Sequence, residues 1–270
     1  ILDAFLVVNK SMESTNESLT AKIREKYAQF ENQYTINPNK VGPYWERAEN
    51  VRNEANTLIS YLDYIKYKLV EVSEREDSLI IMNQFYVDTV INGVRKKVLD
   101  LRSVPSKDKY DATTFYMMRE NKSGEAYTLS QKMKVYRDTV LNVMNLPANS
   151  DKMGLYTNPP DGELLYQDAG GQPQDWEQHN FYHTILAADI TILNKIIAEV
   201  RSAEFNALNH LYASVSEKDF KFDNVTAKII PKSTYVFKGQ KYEAEVLVAA
   251  YDSKTQLDSK YVQGIEKWKE

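Results

Sequence analysis

From Asp175 to about Ser216 the chain runs some forty residues without a glycine or a proline. Along it Phe181, Ile185, Ala188, Ile192, Ile196, Val200, Ala203, Ala207 and Leu211 recur at spacings of three or four, the period of one helix face. The pattern predicts one unbroken rod of roughly 60 Å, with Asp175 as its N-cap. Such a rod far exceeds the three-turn helix usual in a compact enzyme domain, and predicts a part that spans distance or transmits force.

Two more stripes precede it. Ile1, Phe5, Val8, Met12, Leu19, Ile23, Tyr27 and Phe30 predict a helix from Ile1 to Tyr34, stopped at Asn37-Pro38 because proline cannot continue the hydrogen-bond ladder. Asn39 to Pro43 reads as a short turn. From Tyr44 to about Glu74, Val51, Ala55, Leu58, Leu62, Ile65, Leu69 and Val72 step 4, 3, 4, 3, 4, 3, a heptad seam that packs against a neighbouring helix or a second copy. Tyr61, Tyr64 and Tyr67 border it; tyrosine there covers a core edge or serves an interface. Asn92-Gly93 between β-branched residues predicts a hairpin insertion near 85–99, and Val104 to Lys122 reads as irregular. Leu129, Met133, Tyr136, Val140 and Met144 predict a helix over 125–145, ended by Pro147. Asn149 to Gln174, with its prolines and glycines, reads as loop.

After Ser216 the period changes to two. Thr226–Ile230, Thr234–Phe237 and Tyr242–Tyr251 predict strands, with a turn at Lys238-Gly239. The expected fold is therefore mainly α with a C-terminal β part. A long-helix bundle occupies 1–216, and an immunoglobulin-like β-sandwich over 217–270 is cut short, because such a sandwich needs about seven strands. The chain opens on Ile1 already in helical register, which predicts a piece of something longer.

Composition narrows the function classes. Lys and Arg total 34 against 38 Asp and Glu, a net charge of −4, which argues against nucleic-acid binding and offers no polybasic membrane patch. There is no cysteine, hence no disulfide, thiol nucleophile or thiolate metal site. No stretch approaches 18 consecutive apolar residues, so no span is expected within 1–270.

Candidate chemistry is sparse. On one rod Asp175, His179 and His183 would share a side, a geometrically possible metal patch that lacks a further ligand and a supporting shell. The plainer reading is a polar patch beside Trp176, Phe181 and Tyr182. No glutamate stands three residues before His179, His183 or His210, which removes the di-iron bundle signature. Phosphate-binding glycine loops and the nucleophile elbow are also missing. The expectation is no enzyme, no catalytic, cofactor-binding or metal residue, and no cofactor.

The run Asp175-Trp176-Glu177-Gln178-His179-Asn180-Phe181-Tyr182-His183, then Leu186-Ala187-Ala188 and Thr191-x-Leu193-x-Lys195, resembles the GldM/PorM family of gliding motility and type IX secretion. Val200, Ala203 and Glu204 continue the likeness. Lys134-Val135-Tyr136-Arg137, Ile229-Ile230-Pro231, Gly239, Tyr242, Ala244, Val246 and Ala249 extend it, and Leu2-Asp3-Ala4-Phe5 resembles the segment after that family's membrane helix. Residues 75–124 carry little of it. Where many of the family have proline near 185 this chain has Ile185, which predicts a straighter helix.

The resemblance implies a periplasmic homodimer anchored in the inner membrane by a helix upstream of Ile1. It further implies a GldL/PorL-like partner driven by protons and a PorK/PorN-like outer-membrane ring reached by distal domains. The function expected is a shaft that transmits motion between them. Alternatives are a ligand-sensing periplasmic helical domain of a membrane receptor, with a pocket between helices, and an enzyme using the His179/His183 patch.

Overall fold

A computed structural model describes residues 1–91, 93–119, 122–150, 153–158, 166–217, 224–231, 239, 241 and 243–251. The chain divides into two compact units, Ile1–Tyr212 and Ala213–Glu270. The molecule is mainly α with a small β part, as the periodicities imply.

In the first unit α1 spans Leu2–Ile36 and α2 spans Pro38–Glu74, joined through the single residue Asn37. The expected turn at Asn39–Pro43 is helical instead. Asn37 accepts the Lys40 N–H at 3.2 Å and Pro38 takes the first helical position, where a missing N–H costs nothing. Pro43 then sits inside α2, forfeiting one backbone bond, while buried Val41 and Ala48 on either side hold that stretch in the core.

The heptad seam of α2 lies where its spacing put it. Val51, Ala55, Leu58, Leu62, Ile65 and Leu69 are all buried, and Val72 is half-buried. Arg75 ends the helix in the left-handed region at φ 59°, its N–H reaching Glu71 O. Asp77 caps α3 (Ser78–Gln84) by accepting from Leu79 and Ile80 at 2.9 and 3.1 Å. The hairpin follows: β1 (Tyr86–Ile91) pairs antiparallel with β2 (Val94–Leu99), with Ile91 opposite Val94 and Gly93 at φ 79° in the two-residue turn.

The stretch expected to be irregular contains a 3-10 turn, Pro105–Asp108, and α4 (Asp111–Met117). At seven residues α4 is too short to display a period, and buried Thr113, Tyr116 and Met117 hold it against α2. α5 covers Glu125–Met144 and ends at left-handed Asn145. The following loop carries one two-residue pairing, β3 (Tyr166–Gln167) with β4 (Pro173–Gln174). Buried Arg137 of α5 fastens this loop's start by donating to the carbonyls of Ala148, Ser150 and Gly154 at 2.7, 2.9 and 3.2 Å.

The single rod expected from Asp175 is two helices. α6 spans Trp176–Phe181 and α7 spans Leu186–Glu217, so the long piece has 32 residues, about 48 Å at 1.5 Å each. Tyr182 is extended and His183 left-handed, which breaks the helix where a straighter one was expected. In the second unit β5 (Asn224–Pro231) pairs antiparallel with β6 (Ala244–Tyr251). The expected strand Thr234–Phe237 and the turn residue Lys238 lie outside the described residues.

Candidate functional site

Within the first unit α7 is enclosed rather than laid on a surface. From Leu186 to Ile197 every residue is buried except half-buried Ile192 and exposed Lys195. An amphipathic stripe buries one face; consecutive burial means that neighbours surround the helix. Polar residues caught in such a position need partners, because each unpaired buried group costs about 1–3 kcal/mol. Their bonds therefore show what grips α7.

Asn194 is the junction. Its Nδ2 donates to Asn9 Oδ1 at 2.8 Å, its Oδ1 accepts from Lys66 Nζ at 2.9 Å, and its carbonyl accepts from Asn16 Nδ2 at 3.0 Å. One side chain thus ties α7 to α1 and α2. Asn9 donates onward to Glu13 at 2.9 Å. Lys66 pairs with Asp63 at 2.7 Å, and Lys96 of the hairpin approaches the same carboxylate at 3.5 Å. Burial opposes ionisation of Asp63, but those two ammoniums outweigh it and hold its carboxyl below the ordinary value. Beside this junction lies a cavity of about 280 Å³, with Glu13, Asn16, Asp63, Lys66, Lys96 and Arg201 in its wall.

One step along α7, Glu204 is fully buried and Arg201 Nη1 reaches it at 2.7 Å, the same nitrogen lying 3.2 Å from Asn56 Oδ1 of α2. Burial raises the Glu204 carboxyl above its ordinary value, with the Arg201 charge pulling the other way. Tyr136 of α5, itself buried, donates to Val200 O at 3.1 Å. At the start of α7, Asp189 is fully buried, and neither carboxylate oxygen has a hydrogen-bond partner among the described residues. Burial pushes its pKa well above the carboxylate range, opposed by the Thr113 hydroxyl beside it.

The polar positions of α1 were the part of this seam that an apolar scan misses. The buried line is Leu6, Asn9, Ile23, Tyr27 and Phe30, with Glu13, Asn16 and Thr20 half-buried between them. These step 3, 4, 3, 4, 3, 4, 3, an unbroken heptad whose middle is polar. The signal was spacing shared by apolar and polar residues alike. Of the expected stripe, Ile1 and Val8 are exposed, and Phe5 and Met12 only half-buried.

The histidine patch is separated. Asp175 forms a capping box with Gln178, accepting its N–H at 2.8 Å. His179 stacks on Tyr166 at 4.3 Å, whereas His183, beyond the end of α6, stacks on Tyr110 at 5.1 Å. The i, i+4 relation that joined the two histidines ends with the helix at Phe181. Among the described residues no three His, Asp or Glu gather as a metal-binding group. Of the tyrosines beside the α2 seam, half-buried Tyr61 bonds Glu125 of α5 and half-buried Tyr67 bonds Glu71 at 3.0 Å, whereas Tyr64 is exposed.

Several of the buried polar groups, Asn9, Asn194 and Glu204 with its partner Arg201 among them, gather along α7 and its neighbours. The chain belongs to the GldM family: the GldM N-terminal domain matches residues 1–214 and the GldM second domain residues 216–267. It is thereby a component of the gliding-motility and type IX secretion machinery. No curated protein matches the chain.

Proposed function

We propose that the chain is a periplasmic shaft of the type IX secretion motor. It works as a homodimer and passes motion from a proton-driven, GldL/PorL-like inner-membrane partner towards a PorK/PorN-like outer-membrane ring. In this reading residues 1–216 form a helical bundle domain and 217–270 an immunoglobulin-like sandwich domain. The anchor is a helix upstream of Ile1; among the described residues no helix is long and apolar enough to cross a membrane.

The observation that carries the reading is the grip on α7. Asn194, through Asn9 and Lys66, and Arg201, through Asn56, fix its register against α1 and α2, so a push on the bundle moves the helix with it. Buried polar junctions of this kind suit a part that must hold one register. The test is Ala213→Pro in the full-length protein. Ala213 is exposed on α7, so the ring meets no core, but proline there removes a helical hydrogen bond and costs about 3 kcal/mol of helix stability. Secretion of type IX cargo should be lost while Ala213→Ser secretes normally and both proteins accumulate equally. Normal secretion by the proline variant would contradict transmission through α7.

A further inference from the structure

The break between α6 and α7 builds a surface that the polar seam does not use. The apolar period continues through 181–188, so the sequence alone gives the helix no reason to stop. It stops because two bonds to the segment around α4 replace helical ones: Leu186 N–H donates to Lys109 O at 2.8 Å, and Thr113 Oγ1 donates to Thr184 O at 3.2 Å. His183 is held at φ 54°, a region that non-glycine residues occupy at a cost and that clusters at working sites.

The consequence is a hollow of about 440 Å³ with Tyr110, Asp111, Phe115, Met118, Tyr182 and His183 in its wall. His183 lies 5.1 Å from the Tyr110 ring and 4.3 Å from the Tyr182 ring, which fixes those tyrosines in place. Yet Phe115 is 71% exposed, Tyr182 55% and Tyr110 41%. Aromatic residues left together at a concave surface mark a contact site rather than a core edge. Asp111 is exposed and has no hydrogen bond or ion pair with any described residue. No Lys or Arg is among the described residues in the wall; Arg119 stands outside, its guanidinium 5.9 Å from the Phe115 ring, the outer limit of a cation–π contact.

Ring faces are electronegative, and an unpaired carboxylate adds a full negative charge beside them. An anion or an acidic segment would be repelled here, and a purely apolar one would leave Asp111 without a counter-ion. We propose that this hollow docks a Lys or Arg side chain of a partner protein, its cation over the exposed rings and paired with Asp111. The two clamping bonds keep the walls preformed, so little ordering is lost on binding.

The test uses the whole 270-residue chain. It is titrated with the blocked tripeptides acetyl-Gly-Arg-Gly-amide and acetyl-Gly-Glu-Gly-amide while the NMR signals of the Met118 methyl and the His183 ring are followed. The arginine peptide should give saturable shifts and the glutamate peptide none. Phe115→Ala and Asp111→Asn, both at exposed positions, should each weaken binding about five- to tenfold with unchanged melting temperature. The proposal is overturned by absent shifts, by equal shifts with both peptides, or by binding that survives the double variant. It is equally overturned if the same signals move on concentrating the protein alone, since a second copy would then fill the hollow.

Discussion

α1 and α7 are nearly equal in length, at 35 and 32 residues, and they are embedded in opposite ways. α1 offers one line to the bundle and leaves Val7 and Val8 in solvent. α7 is covered on nearly every side over its first three turns. A helix with one buried face tolerates polar residues almost anywhere else. In an enclosed helix an unpartnered polar group is costly, as at Asp189, and the partnered ones, Asn194 and Arg201, become the points that set its register. The contrast shows how one helix of a bundle is held from several sides while another stays accessible on one side.

The largest break in that contrast should come from Arg201→Ala. It strands the buried Glu204 carboxylate, and losing one partner of a buried pair costs about 3–5 kcal/mol. Urea unfolding of the variant should show this loss at pH 7. Lys195→Ala, on the exposed side of the same helix, should change stability by less than about 1 kcal/mol, since its pair with Glu199 is a surface one. Equal effects would mean that α7 is not enclosed.

Asn194→Ala should follow, at about 1–3 kcal/mol, because it leaves Asn9 and Lys66 without their shared partner. Unfolding midpoints should fall without a change in denaturant slope. A double cycle with Asn9→Ala should show coupling, as the two amides bond each other.

At acid pH the smallest effect belongs to Asp189→Asn. The folded carboxyl titrates well above the unfolded value of about 3.9, so the folded state keeps a proton that the unfolded chain loses. Its contribution is complete below about pH 3.9 and is lost as pH rises towards the folded pKa. Asparagine does not titrate, so the variant's gain in urea midpoint should be larger at pH 8 than at pH 5. A gain independent of pH would mean that Asp189 has a compensating partner.

Much of this arrangement is legible in the sequence, and what is not has physical causes. The α2 seam shows because Val51, Ala55, Leu58, Leu62, Ile65 and Leu69 are all apolar and step by four and three. The hairpin shows because Asn92-Gly93 suits a two-residue turn, and the switch to strands shows as a change of period. The α1 line is hidden because Asn9, Glu13, Asn16 and Thr20 hold core-facing positions with polar side chains, and Asn194, which bonds Asn9 and Asn16, lies far away in sequence. The α6–α7 break is hidden for a related reason. His183 leaves the helix because Leu186 and Thr184 find bonds at Lys109 and Thr113, which no local pattern announces. The turn read at Asn39–Pro43 errs the other way: the Asn37 cap starts the helix at Pro38, and the burial of Val41 and Ala48 carries it through Pro43.

The most direct test of α7 as a stiff lever is a distance along it. The chain has no cysteine, so Lys195→Cys and Ala213→Cys, both exposed on α7, can carry spin labels without interference. Pulsed electron resonance on the full chain should give one narrow distribution corresponding to about 27 Å between the two backbone positions. A broad distribution, or one centred well short of that, would contradict a continuous helix and with it the transmission of motion through α7.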